Sequence, residues 1–422
     1  MTGIDDLRED LLSSIMHNSV HKRKPVTTMQ IAHRFGVSLF WALCTTTAAA
    51  QQVEILRGVT VAGATQDLSG LKGLLSDGTP ADRTGGPSGF SWTGIGQLYF
   101  WLSDRGPKDG ITDHQPRFHE VDMTAALAEG SAPVIRKTIT LKQENGLPLT
   151  GKSTAFDLKS PEKSTRFDPE GIALWQGKIL VSDEYGPSIR SFDTDGKTLL
   201  NWPVPARFQV ANPRGEEAQE LKANKSGRQS NSGFEGLCTD GQGGLLAIAQ
   251  RALLQDGALS NDGKRIGRNL RILQTCGPNC KPRELVYVLD DPTTGISEIC
   301  HVGGSLFLSI ERDSKPGLEA KTKKIMLFDI ADATDVSSIE NLPSGPLPDS
   351  IQPVKNRVFV DLLDPRFHLN GKDFPEKIEG LTFGPNLADG RRLMVVATDN
   401  DFVAEKPIRF WFFAVPAELL KQ

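Results

Sequence analysis

The sequence predicts an all-β chain built as a β-propeller of four-stranded blades, on three observations. A motif of a small polar or acidic turn, an apolar strand, a turn, and a second apolar strand ending in a polar doublet occurs five times. The two strands of a copy are separated by short, mostly Gly-containing turns, which suit antiparallel hairpins. No Pro/Ser-rich linker divides the chain after residue 50. Repeated units of short strands define a radial or solenoidal array of sheets.

The earliest copy has Ser88-Gly89-Phe90, the turn Gly94-Ile95-Gly96, and Leu98 to Ser103 before Asp104-Arg105. The clearest follows, with Asp168-Pro169-Glu170-Gly171, the turn Gln176-Gly177, and Ile179 to Ser182 before Asp183-Glu184. The third has Phe234-Glu235-Gly236, Gly241 to Gly244, and Leu245 to Ala249 before Gln250-Arg251. In the fourth, Ser297-Glu298-Ile299, Gly303-Gly304 and Leu306 to Ile310 precede Glu311-Arg312. The fifth runs from Ile378-Glu379-Gly380 to Leu393–Thr398 and Asp399-Asn400. Third strands are expected at Ile189 to Phe192, Glu284 to Leu289 and Lys324 to Asp329. Asp193-Thr194-Asp195-Gly196 reads as a hairpin turn, since it lacks the downstream Glu of a calcium loop. The run Phe410-Trp411-Phe412-Phe413 reads as buried core, and Val53 to Val61 as a strand that closes the ring near the last sheet. The copies are spaced by 63 to 82 residues, and the two wide gaps leave room for one degenerate unit, so six blades are expected.

In a hairpin, the start of the first strand and the end of the second lie at the same sheet edge. The Glu column and the doublet column therefore converge on one mouth of a central channel. Gly after the Glu lets backbones approach closely where blades crowd. The two columns hold nine carboxylates against Arg105, Arg251 and Arg312. Such crowding forces some acids to protonate unless a cation sits among them, and hard oxygen ligands suit Ca²⁺ or a similar ion. Glu170, Asp183, Glu235, Glu298, Glu379 and Asp399 are the candidate metal ligands. Arg105, Arg251 and Arg312 are candidates for binding an anionic substrate, and Glu184 and Glu311 for general base. Part of the ring is read as scaffold, because the same residues tie blades together by hydrogen bonds and ion pairs.

The motifs Phe167-Asp168-Pro169-Glu170-Gly171, Ser182-Asp183-Glu184-Tyr185-Gly186, Gly233-Phe234-Glu235-Gly236 and Lys377-Ile378-Glu379-Gly380-Leu381 resemble the phytase-like family of bacterial proteins, described by an esterase-like activity. The likeness runs from about Gly63 to Val415. It implies a secreted β-propeller and hydrolysis of a phosphoester or carboxyl ester, but it brings no defined catalytic residues. The earliest copy departs from the pattern, with Ser88 in place of a Glu. The expected function is an exported, metal-assisted hydrolase of a small anionic ester, foremost a phosphomonoester. The alternatives are a lactonase or carboxylesterase on the same propeller, and a non-catalytic envelope propeller.

Residues 1–50 read as a targeting segment: His21-Lys22-Arg23-Lys24 and Arg34, the apolar run Val37 to Cys44, and Ala48-Ala49-Ala50 before Gln51. Met29 is an alternative start, and residues 51–422 form a single propeller domain. Without the leader the chain carries 43 basic and 48 acidic side chains. That balance argues against nucleic acid or lipid as partner, and no segment is long and apolar enough to span a membrane. A monomer is expected. Four cysteines remain: Cys276 and Cys280 are the preferred local disulfide, and Cys238 with Cys300 a weaker second pair. The stretch Arg214 to Arg228 reads as a charged surface insertion with one or two helical turns. His114 and His119 are five residues apart and lack the H-E-x-x-H spacing of a zinc protease. His301 and His368 read as surface or packing residues.

Overall fold

The computed structural model describes residues 52–160, 163–261 and 264–421, so the expected targeting segment lies outside the described residues. Five four-stranded antiparallel sheets make up the unit Val53–Gln422. Blade one is β2 (Gly89–Trp92), β3 (Leu98–Leu102), β4 (Arg117–Asp122) and β5 (Val134–Thr140), with the short helix α1 (Thr124–Glu129) before β5. Blade two is β6 (Pro169–Trp175), β7 (Lys178–Asp183), β8 (Ser188–Phe192) and β9 (Thr198–Trp202). Helix α2 (Glu217–Ala223) lies in the long connection to blade three. Blade three is β10 (Phe234–Thr239), β11 (Leu245–Ala249), β14 (Asn269–Thr275) and β15 (Arg283–Val288); the small ribbon β12 (Ala258–Leu259) and β13 (Arg265–Ile266) interrupts it. Blade four is β16 (Gly295–Gly303), β17 (Leu306–Arg312), β18 (Lys323–Asp329) and β19 (Lys355–Asp361). Blade five is β20 (Lys377–Asn386), β21 (Arg392–Asp399) and β22 (Ile408–Val415), completed by the N-terminal strand β1 (Glu54–Val61).

The closure by β1 is the one expected. It pairs antiparallel with β22, from Glu54 opposite Ala414 to Val61 opposite Ile408, and covers the aromatic run. The sixth blade is not among the described residues. The wide gaps are filled by outer strands and long loops, such as residues 141–160, 163–168 and 330–354. The strand at Arg283–Val288, expected to be third in its blade, is fourth.

Strict alternation builds the core. In β3, Tyr99 and Trp101 pack towards blade five, while Phe100 and Leu102 pack towards blade two. In β21, Leu393 and Val395 face blade one, whereas Met394 and Val396 face blade four. Successive side chains of a strand point to opposite faces, so middle strands buried on both faces read as continuous apolar runs. Five apolar clusters result, one at each junction of neighbouring blades.

β2, β6, β10, β16 and β20 are the innermost strands and contact one another around the axis. Register shifts fall at or beside Glu170, Glu235, Glu298 and Glu379. Such bulges re-aim a side chain at the end of a strand. The following glycine is where one blade meets the next. A Cβ on Gly89 would sit 2.5 Å from the Glu170 carbonyl oxygen, and one on Gly171 would sit 2.6 Å from that of Glu235.

Candidate functional site

One broad cavity of ≈ 1560 Å³ opens at the end of the ring where the Glu column and the doublets meet. Fourteen carboxylate residues and ten Lys or Arg line it, so the mouth is formally acidic. Glu170, Glu184, Glu235, Glu379, Arg105, Arg251 and Arg312 all reach this lining. The expected insertion forms part of the wall through Glu217, Ala218 and Leu221 of α2. Its buried Glu220 is held there by Arg228 and accepts from Ser230 Oγ at 3.1 Å.

Several expected ligands face elsewhere. Both Asp183 oxygens hold the turn after β7: Oδ1 accepts from Asp168 N (2.9 Å) and Tyr185 N (3.2 Å), and Oδ2 from Gly186 N (3.0 Å) and Ser188 Oγ (2.9 Å). Asp399 accepts from Asp401 N at 3.2 Å and Lys377 Nζ at 3.2 Å. Glu298 is buried beside the axis, where it accepts from Ile299 N at 2.9 Å and, across the ring, from Phe90 N at 3.4 Å. Glu311, expected as a base, is buried under the loop before β16 and accepts from Asp290 N (3.2 Å) and Thr294 Oγ1 (3.1 Å). These four support the scaffold, and Glu311 Oε2, like Glu184 Oε1, is buried without a donor.

Asp104, Asp183 and Asp399 share one habit. Each is the first member of its doublet, and each accepts from the backbone N–H two residues on, as Asp does in an Asx turn. The second members Arg105, Glu184, Arg251 and Arg312 reach the mouth, as do the first members Asp104 and Gln250. Asn400 is the exception; it accepts from Gly86 N at 2.9 Å and donates to the Val403 and Lys406 carbonyls.

The densest carboxylate cluster is Asp168, Glu170 and Glu184, whose oxygens include one from each within 4.8 Å of one another. All three are buried. Asp168 enters β6, Glu170 lies on it, and Glu184 ends the neighbouring β7. Asp168 accepts from Arg105 N (3.1 Å) and Arg105 Nη1 (2.7 Å), and Arg105 Nη1 is 3.6 Å from Glu184 Oε2. Among the described residues no N–H or hydroxyl donor reaches Glu184 Oε1 or the Glu170 carboxylate, while the carboxyl groups of Asp168 and Glu235 are hydrogen-bonding neighbours of Glu184. Three acids with one guanidinium cannot all stay ionised without a further cation.

Burial pushes Glu170 and Glu235 well above the carboxylate range, and neighbouring carboxylates push them further. Burial also raises Asp168 to about 7, against the pull of Arg105, and Asp104 to about 7, against the pull of Lys377. Glu184 is raised by burial, with Arg105 and Arg228 opposing. Glu235 accepts from Gln250 Nε2, and Arg312 donates to Glu379. Among the described residues Arg251 has no carboxylate partner and only 3.4 Å contacts to the Thr293 and Thr294 carbonyls. Burial lowers its pKa, and nearby Arg312 lowers it further.

Sequence reasoning missed Asp168 and Lys377 as site residues. Asp168 and Glu170 are two apart at a strand start, and that spacing puts them on one side of an extended chain. Lys377, at the start of β20, lines the mouth and pairs with Asp399 (3.2 Å) and Asp401 (2.6 Å). The Cys276–Cys280 disulfide is present, while Cys238 and Cys300 are free and buried. His114 and His119 are buried; burial holds His119 down at about 3, so it is neutral.

The fold and mouth thus define a five-bladed propeller with a charged central pocket. The model of the phytase-like family, described as "Esterase-like activity of phytase", matches residues 82–402, and the chain belongs to that family. It is 30% identical over 341 residues to an "Uncharacterized secreted protein" of Arthroderma benhamiae, covering 62% of this chain and 66% of that one. Among solved structures it is similar to the glutaminyl cyclase of Myxococcus xanthus (10% identity, TM-score 0.37, covering 86% and 97% of the two chains). It is also similar to the allergen Mala s 1 of Malassezia sympodialis (11% identity, TM-score 0.38, covering 79% and 80%). At that level neither likeness carries an argument about function. No helix among the described residues is long and apolar enough to cross a membrane.

Proposed function

We propose that this chain is an exported, metal-assisted hydrolase of a small anionic ester, foremost a phosphomonoester. One observation carries the reading: Asp168, Glu170 and Glu184 bring three buried carboxylates together, only Asp168 and Glu184 of them beside a guanidinium, and Glu184 Oε1 is left buried with no N–H or hydroxyl donor. An unpaired buried carboxylate oxygen is costly unless a cation or a proton meets it. The donor set is all oxygen, which fits Ca²⁺ better than a soft metal. Asp168, Glu170 and Glu184 would hold the ion. When bound, it supplies positive charge for a substrate oxyanion and lowers the pKa of a coordinated water.

The chain's own residues supply the rest. Arg105 fixes Asp168 by two hydrogen bonds and so orients the cluster. Arg251 offers a guanidinium fork, free of any carboxylate, to two oxygens of the ester. Arg312, tied to Glu379, adds positive charge beside it. Glu184 Oε2, the oxygen not left for the ion, takes up the proton of the attacking water. Glu235, kept protonated by burial and by Glu184, gives its proton to the leaving alkoxide as the ester bond breaks. The leader in the sequence and the secreted relative support export.

A carboxylic-ester reading is favoured by one detail. Two of the three expected arginines are engaged by Asp168 and Glu379, so a single free guanidinium remains for the substrate. The test is metal analysis of the purified chain, with turnover of an aryl phosphate and an aryl carboxyl ester before and after chelation. Bound calcium and chelator-sensitive phosphate turnover are expected, and Arg251→Ala should lower that turnover by about 100-fold. Turnover of the carboxyl ester alone would move the reading to the esterase. No metal and no turnover would leave a binding propeller.

A further inference from the structure

Three side-chain carbonyl or carboxyl oxygens among the described residues are buried with no N–H or hydroxyl donor: Glu184 Oε1, Glu311 Oε2 and Asn231 Oδ1. Glu311 is held under the loop before β16, whereas Glu184 and Asn231 both line the mouth. A buried hydroxyl can turn to find a partner, and a carboxyl can take up a proton. An amide oxygen does neither, so Asn231 Oδ1 needs a donor or a cation.

Asn231 sits just before β10, in a tight turn across which Gln229 bridges to Ser232. The other side chains of that turn are engaged. Gln229 Nε2 donates to the carbonyls of Ala252 (2.8 Å) and Arg265 (3.0 Å). Ser230 Oγ donates to Glu220, and Ser232 Oγ donates to Gln250 Oε1 at 3.1 Å. Gln250 in turn donates to Glu235. Gly233, two residues past Asn231, packs on the Glu184 backbone; a Cβ there would sit 2.2 Å from the Glu184 carbonyl oxygen. The turn and Glu184 therefore meet where blade two joins blade three. Asn231 has a left-handed φ of 53°, which Asn tolerates and Gly holds without strain. Backbone geometry thus explains an Asn at this position, but not an unmet oxygen on it.

We infer that Asn231, through Oδ1, is a further oxygen ligand of the cation held by Asp168, Glu170 and Glu184. The inference rests on the cation reading above and adds a neutral member to its donor set. Ca²⁺ takes about six to eight oxygens, amide carbonyls among them, and three carboxylates bound through one oxygen each fall short of that number. A neutral oxygen adds no negative charge where three acids are already crowded. Two unmet acceptors at one junction are what a cation would bridge.

The test is calorimetric titration of the chelated chain with Ca²⁺, for the parent, Asn231→Gly and Asn231→Asp. Both substitutions accept the left-handed backbone, and thermal melts of the metal-free chains check that they are folded. Asn231→Gly should weaken Ca²⁺ binding by about tenfold or more. Asn231→Asp keeps an oxygen in place and should bind at least as tightly as the parent. Unchanged affinity in Asn231→Gly overturns the inference and leaves the cation site standing, since Asn231 would then serve its backbone alone. Equal weakening in both variants also overturns it, because an oxygen at that position would not be what counts. No Ca²⁺ binding by the parent would overturn the cation reading, and this ligand with it.

Discussion

Two clusters of buried charge, one in blade three and one at the mouth, begin from similar parts and end differently. In blade three, Arg271 donates to Asp256 through Nε (2.7 Å) and Nη2 (3.1 Å), and to Glu284 through Nη1 (2.8 Å). Asp256 also accepts from Leu342 N at 2.7 Å, and Arg207 Nε lies 3.4 Å from the other Glu284 oxygen. Two acids meet two arginines, and every carboxylate oxygen has a partner. At the mouth, Asp168 and Glu184 share Arg105, Glu170 has no basic partner among the described residues, and Glu184 Oε1 has no N–H or hydroxyl donor. Neither burial nor one unmet oxygen marks a site, since Glu311 Oε2 is also buried without a donor; several acids crowded in one place with too few donors do.

That contrast gives an ordered set of expectations. Arg271→Ala should cost the most, about 3–5 kcal/mol of unfolding free energy, because it leaves Asp256 and Glu284 buried without their main partner. Denaturant titration measures it, and a loss below about 1 kcal/mol would remove the contrast. Asp183→Ala should cost about 1–3 kcal/mol, since four donors of one turn lose their acceptor.

A pH effect should follow in the metal-free chain. Asp104 and Asp168 are raised from 3.8 to about 7 in the fold, so the folded chain holds more protons than the unfolded one between those values. Their stabilising contribution is full below about pH 4 and is lost as pH rises through about 7. With chelator present, thermal melts should therefore show Tm falling between pH 5 and pH 8, and calcium should restore it at pH 8. A flat profile would mean that these acids do not titrate in that window. The smallest effect belongs to Glu170→Gln, which replaces a carboxyl that burial and its neighbours hold protonated and removes no hydrogen bond from an N–H or hydroxyl. Metal-free stability should stay within about 1 kcal/mol of the parent or rise.

The propeller was legible in the sequence because its signal is repeated. Five strand pairs with a Glu-Gly or Ser-Gly start gave the inner strands, and the N-terminal strand gave the closure. The blade count was not legible, because long loops between Ser88 and Glu170, and between Glu298 and Glu379, occupy the length of a further unit. At the site, the convergence of the two columns was readable, but the role of each acid was not. Adjacent Asp183 and Glu184 differ only in which way the strand end turns, and backbone geometry decides that. The Asx-turn habit of Asp104, Asp183 and Asp399 is the local rule that separates them. Glu298 and Glu311 carry no such mark, since their partners come from Phe90 across the ring and from the Asp290–Thr294 loop.

The central claim is that Asp168, Glu170 and Glu184 form a cation site, and calorimetric titration of the chelated chain with Ca²⁺ tests it most directly. One saturable site is predicted, lost in a Glu170→Gln, Glu184→Gln double variant and retained in Glu298→Gln. No heat of binding in the parent chain, or binding unchanged in the double variant, would contradict it.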